Sequence, residues 1–476
     1  MSNPPALSDV LNQLRQQFNS SPYPSLTARR RQLKRLKQTL FAAQAALYQA
    51  AAQDFGKRSA SETRMLEVLP SINGINDALR RLPRWLKPAR RHVSWLFQPA
   101  SNRVEYQPLG VVGIIVPWNY PIFLALGPLT AAIAAGNQVM LKLSEFTPAI
   151  NQVLREVIHG ALGSAVEVVE GDAKVASDFS QLPFDHLLFT GSTQVGYKVM
   201  QSAAQHLTPV TLELGGKSPV LQAPDIALSL FADRLIFGKC ANAGQTCVAP
   251  DYLLVPESQL DQVVPTLQTA FKQQYPAGIH SPHYTSIINP RQYQRLQSLL
   301  AQARDAGATV VSLDPDNDAQ HDDHNRLMAP QLVFNAPPHS RLWQDEIFGP
   351  ILPVHSYQQL DEALRFIRER PRPLAFYLFS QDQQTQQRCL REIHAGGVCL
   401  NDTLVHVGQD DLPFGGIGPS GLGRYHGHDG FLTFSHAKAI HQKGRFSSGV
   451  LAYPQWRGRL LDKVLDRWFG YRIDES

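Results

Sequence analysis

Residues 108–143 read PLGVVGIIVPWNYPIFLALGPLTAAIAAGNQVMLKL, most of which falls in a run without a charged side chain from Tyr106 to Leu141. Its length imitates a membrane span. Pro108, Pro117, Asn119, Pro121, Pro128, Gly136 and Asn137 nevertheless interrupt it too often for a continuous helix of about 20 apolar residues. A soluble reading accounts for every interruption. PLGVVGIIVPW is a buried parallel strand, PIFLALGPLTAAIAAG a buried helix ended by Gly136, and QVMLKL the next strand. Together they make a βαβ unit.

Upstream, Thr27 to about Gln53 is rich in Ala, Leu, Gln and Lys and reads as a long helix with Thr27 as N-cap, covering one face of a sheet. Its basic start, TARRRQLKRLK, carries Leu33, Leu36 and Leu40 at helical spacing, so we take the charges as a solvated face and not a polyanion site. Downstream, helix 148–160, strands 166–169 and 184–189, and helix 194–204 continue a doubly wound α/β pattern. A second α/β series begins near Val210, with helices over 228–241, 260–275 and 291–306 and strands near 310, 332 and 351. The segment 93–106 reads as a hairpin turning at Pro99–Asn102. The tail from Ser447 to Ser476 reads as an amphipathic arm. Asp314–Asn325 lacks the glycine and the glutamate of a calcium loop at its sixth and twelfth positions, so it reads as a solvated loop, His321 and His324 included.

At 476 residues, 43% hydrophobic and 18% charged, the composition is that of a multidomain globular chain. A net charge of +5 makes nucleic acid no default partner. Four cysteines without a zinc-type pair point to a reducing, cytoplasmic home and to no metal site. The N-terminus shows no signal-peptide pattern, and a membrane partner is not expected.

Five stretches offer chemistry. FTGSTQVG, Phe189–Gly196, follows an apolar strand and opens a helix, where backbone N–H groups receive phosphate; Gly191 permits the turn and Gly196 close packing. Taken alone its spacing also suits an ordinary tight turn. Lys142 and Glu145 end a strand where a doubly wound fold meets a ribose, and Glu145 would accept from a 2′-OH while repelling a 2′-phosphate. Glu213, inside an apolar strand before Gly215 and Gly216, is either a general base raised by burial or a structural partner of a lysine. Cys247 lies in a loop of small polar residues, where packing has little use for a thiol. It follows a helix, whose negative end cannot favour thiolate, so amide donors or a cationic ring must do so. Asn119, in a turn at a strand's C-terminal end, offers an oxyanion donor together with the Cys247 N–H. Cys240, Cys389 and Cys399 read as packing.

PWNYP, LKLSE, FTGSTQVG, LELGGKSP, AGQTC, DEIFGP and PFGGIGPSGLG together resemble the aldehyde dehydrogenase superfamily, in order, over about residues 100–436. CANAGQTCVAPDY and YHGHDGFLTFSH resemble its class three branch, and VGQDDLPFGG most resembles the bacterial coniferyl aldehyde dehydrogenases. The resemblance implies Cys247 as nucleophile, Asn119 as oxyanion donor and Glu213 as base for thioester hydrolysis. It implies Lys142 and Glu145 at the adenosine ribose, Gly191, Ser192 and Gly196 at the pyrophosphate, and Glu346, Phe348 and Trp118 at the nicotinamide end. NAD is the implied cofactor, with NADP also accepted in this branch. The implied architecture is a dinucleotide-binding domain (1–84 and 107–211), a catalytic α/β domain (212–403) and a bridging or oligomerisation region (85–106 and 404–476), assembled as a homodimer.

Aromatic enals such as coniferyl aldehyde are the expected substrates, with medium or long-chain fatty aldehydes as the alternative. A CoA-acylating variant is disfavoured by Glu213. A cysteine hydrolase would need a histidine partner that the sequence does not place. A non-catalytic scaffold would have no reason to keep Cys247, Glu213 and Asn119 together.

Overall fold

The computed structural model describes residues 6–315 and 321–445, with a few isolated positions beyond. The arm expected over Ser447–Ser476 lies almost wholly outside the described residues, as do Asp316 and Asp318. Two parallel-rich sheets and a small antiparallel one form the mixed α/β fold that the sequence implies.

In the first sheet, strand Val111–Ile115 sits between Gln138–Lys142 and His186–Gly191, all parallel. Val166–Val169 extends one side and Val210–Leu214 the other, where Gly421–Leu422 closes the sheet antiparallel. The chain therefore runs outward in one direction from Val111–Ile115, then returns to its other side. The gap beyond the C-terminal ends of Val111–Ile115 and His186–Gly191 is the switch point at which open α/β sheets bind ligands. Helix Pro121–Ala135 is buried along nearly its whole length and ends at Gly136, whose φ of 96° a Cβ would disfavour. The second sheet runs from Thr309–Ser312 through Gln331–Phe334, Ile351–Tyr357, Tyr252–Pro256, Pro219–Gln222 and Ala375–Phe379 to Gly397–Leu400.

Several boundaries differ from the sequence reading, each for a tertiary reason. Pro99–Asn102 is not the hairpin turn. Strand Ala100–Pro108 pairs over its whole length with Ser435–Lys443, a partner more than 300 residues away, while Ala89–Arg91 supplies the short third strand. The long helix is Leu26–Phe55, capped by Ser25 and not Thr27, because the Ser25 hydroxyl accepts from the Ala28 N–H at 3.2 Å. It packs chiefly on helices Pro148–Leu162, Leu69–Trp85 and Pro121–Ala135. Within its basic start Arg29 is fully buried, donating to the carbonyls of Ala134 (3.0 Å) and Ala135 (2.6 Å) at a helix C-terminus. Asp314 is likewise buried and not solvated, accepting from the Ile279 N–H at 3.0 Å, while His321 is half-buried in a two-stranded ladder and His324 is exposed as expected. Among the described residues no helix is long and apolar enough to cross a membrane.

Candidate active site

Two cavities meet at three residues. A wide polar cleft at the switch point is lined by Pro117–Asn119, Thr190–Gln194, Gly215–Lys217 and Glu346. A smaller apolar cavity is walled by Met65, Leu66, Phe123, Phe237, Val405 and Phe414. Cys247, Glu213 and Thr190 line both, so groups held in the two cavities meet beside the Cys247 thiol and the Glu213 carboxyl.

Cys247 is half-buried, three residues beyond a left-handed turn in which Asn242 and Ala243 both have φ of 51° and Gly244 has 73°. Burial, then the carboxyls of Glu346 and Glu213, push its thiol up to about 12, against the opposing pull of the Cys247 and Val248 N–H groups. The resting group is a thiol. Glu213 is buried in its strand, and burial raises its pKa well above the ordinary carboxyl value. Neither of its oxygens has a hydrogen-bond partner, so it is not a structural lysine's mate. A carboxyl stripped of water and facing a cavity is disposed to take a proton from whatever enters. Asn119 is buried, and its side-chain NH₂ donates to the Gln245 carbonyl at 3.2 Å. This bond ties the PWNYP turn to the cysteine loop.

The cleft fits a dinucleotide. Ser192 caps helix Thr193–Ala204, whose N-terminus opens into the cleft. A Cβ at Gly196 would lie 2.6 Å from Leu214, so only glycine lets this helix approach the sheet so closely. A Cβ at Gly215 would fall 1.9 Å from Glu346 Oε2, which shows how tightly Glu346 is held across the cleft floor. Burial and the neighbouring Asp251 push the Glu346 carboxyl up to about 8, the Gly216 N–H, Lys217 and Arg295 opposing. Phe348 and Trp118 meet edge to face at 5.3 Å, making an aromatic wall of the cleft. Lys142 and Glu145 stand apart. They pair with each other at 3.2 Å at the end of the adjacent strand and do not line the cleft.

Other wall residues escaped the sequence reading. Arg291, Arg295, Arg341 and Arg372 give the cleft a cationic rim. Arg295 also donates to the carbonyls of Ile347 (2.6 Å) and Phe348 (3.4 Å), fixing the loop that carries Glu346. Arginine on a polar helix gives no sequence signal of this role. Gln245 was visible inside AGQTC but without a role: it is fully buried, accepts from the Ile288 N–H at 2.9 Å and donates to the Asn242 carbonyl at 2.9 Å.

A thiol and an unpartnered carboxyl at the junction of a dinucleotide-sized cleft and an apolar cavity are the parts of a cysteine-based oxidoreductase. The aldehyde dehydrogenase family model matches residues 8–440. The chain belongs to that family. A probable coniferyl aldehyde dehydrogenase of Pseudomonas aeruginosa is 50% identical, the match covering 95% of this chain and 94% of the relative. The human aldehyde dehydrogenase family 3 member B1 is 39% identical, over 96% and 97% of the two chains, which supports the class three assignment. The substrate-bound structure of the Staphylococcus aureus enzyme AldH superposes with a TM-score of 0.91 at 38% identity, covering 98% of this chain and all of that one. The protein is an NAD(P)-dependent aldehyde dehydrogenase.

Proposed function

We propose that this aldehyde dehydrogenase oxidises aromatic enals of the coniferyl aldehyde type to carboxylic acids through a thioester on Cys247. The observation that carries the reading is the meeting of the aromatic-walled apolar cavity and the dinucleotide cleft at Cys247 and Glu213. The 50% identity to a probable coniferyl aldehyde dehydrogenase supports the substrate class. Phe123, Phe237 and Phe414 offer a planar ring apolar faces, while the carbonyl end lies at the thiol. Cys247 gives up its thiol proton to solvent as Sγ attacks the aldehyde carbon, and the resulting oxyanion is met by the Asn119 amide and the Cys247 N–H, each donor contributing on the order of 3 kcal/mol. Bound nicotinamide supplies the hydride acceptor for this oxidation. Glu213 then takes a proton from water, whose oxygen attacks the thioester carbon, and returns that proton to the departing sulfur, releasing the acid and the free thiol. Gly191, Ser192 and Gly196 would receive the pyrophosphate and Glu346, Phe348 and Trp118 the nicotinamide end, while Lys142 with Glu145, beyond the cleft wall at the end of the adjacent strand, would take the adenosine ribose only where it reaches past that wall. Strand Ser435–Lys443, at the edge of its sheet, supports a homodimer as part of the same proposal.

The test is formation of reduced nicotinamide with coniferyl aldehyde and with decanal, for wild type and Cys247→Ala, with NAD and then NADP. We expect a higher kcat/KM for coniferyl aldehyde and no turnover by the variant. Preference for decanal removes the substrate class alone; turnover by Cys247→Ala removes the thioester route.

A further inference from the structure

Behind Asn119 lies a ring of buried polar groups for which the proposed reaction has no direct use. Arg58 is fully buried and pairs with Glu67, equally buried, at 3.0 Å. Its Nη1 also donates to the Asn119 main-chain carbonyl at 3.3 Å, and its guanidinium lies 5.2 Å from the Tyr120 ring centroid. The other Glu67 oxygen accepts from the Ile122 (2.7 Å) and Phe123 (3.3 Å) N–H groups, the first turn of the helix that follows Asn119. On the far side, Asn242 Nδ2 donates to the same Asn119 carbonyl at 2.9 Å and to the Gln245 carbonyl at 3.1 Å. The Asn242 N–H is in turn held by Glu62 at 2.6 Å. The ring closes where Asn119 Nδ2 meets the Gln245 carbonyl.

We propose that Arg58, held by Glu67, is a positioning residue that sets the Asn119 amide against the Cys247 loop. The inference rests on the reading of Asn119 as the oxyanion donor. Two donors on one carbonyl fix the peptide plane at Asn119, and Glu67 fixes the helix turn that leaves it. With one amide N–H spent on Gln245, the other is left for the cleft that Asn119 lines. Donors to a developing charge work only within a narrow geometry, so loosening this backing lowers the rate and not the binding of cofactor. Nη1 makes both contacts, and the planar group is held there between the rings of Phe55 (4.5 Å) and Tyr120 (5.2 Å), a stacking that the ammonium of a lysine does not reproduce.

The experiment is a double-variant cycle on the full chain: wild type, Arg58→Lys, Asn119→Ala and the pair, each measured for kcat and, by quenching of protein fluorescence, for the Kd of NAD. Arg58→Lys is expected to lower kcat about tenfold with Kd within about twofold, and to change kcat less than about twofold in the Asn119→Ala background. Equal losses in both backgrounds, an unchanged kcat, or a parallel rise in Kd overturns the proposal. An unchanged kcat in Asn119→Ala overturns both it and the oxyanion reading. If Arg58→Lys does not fold, Arg58→Met/Glu67→Gln, which removes both buried charges together, is put through the same cycle.

Discussion

Cys247 and Glu213 each pass the burden of activation to a partner. Burial holds the thiol at about 12, so in the cofactor-free enzyme the thiolate fraction is small and grows about tenfold for each pH unit below that value. Alkylation of the apoenzyme by iodoacetamide is therefore expected to keep accelerating between pH 7 and 10. A plateau of the Cys247 rate below about pH 9, followed by peptide mass analysis, would show a thiol far more acidic than its surroundings permit. A cysteine in a small-residue loop and a glutamate inside an apolar strand stand out because packing explains neither. Arg58 and Glu67 did not stand out: RSASETRMLEV looks like any polar helix, and only the structure buries the two together.

At the scale of elements, the left-handed turn 242–244 connects helix Ala232–Cys240 to the cysteine loop. Gly244 has φ of 73°, and a Cβ there would stand 2.5 Å from the backbone carbonyl of Gly349, in the loop that carries Glu346. Gly244→Ala is expected to cost about 1–3 kcal/mol through overpacking and strain, and to weaken NAD binding by displacing that loop. A melting temperature and a Kd equal to wild type would refute the close approach. Periodicity found most elements here, since the buried helix Pro121–Ala135 and its flanking strands are apolar enough to show. It put a hairpin turn at the start of strand Ala100–Pro108, half-buried along nearly its whole length, whose long partner is Ser435–Lys443.

Across the whole molecule, Asn137 joins segments distant in sequence. Its buried side chain accepts from the N–H groups of Leu109 (2.8 Å) and Gly110 (3.0 Å) and donates to the carbonyls of Ala132 (3.1 Å) and Phe434 (2.9 Å). Asn137→Ala leaves two buried donors without an acceptor and detaches the turn before Ser435–Lys443. We expect a loss on the order of 3 kcal/mol, read as a lower melting temperature. An unchanged melting temperature would mean that these groups find other partners. Closure of the first sheet by Gly421–Leu422 depends on the same late part of the chain, which also places Pro419 and Ser420 in the cleft.

By itself the sequence determined the order of strands and helices, the switch-point turn bearing Asn119, and the residue types that can carry cysteine-based aldehyde oxidation. Those features are local: they follow from apolar periodicity, from glycine and proline, and from reactive groups where packing has no need of them. The tertiary structure decided where the two cavities meet, that Lys142 and Glu145 stand outside the cleft wall, and that Arg58, Glu67 and Asn242 back the Asn119 turn. Those are contacts between segments tens to hundreds of residues apart, set by packing and buried hydrogen bonds, and no local pattern encodes which polar side chain will be sealed from water.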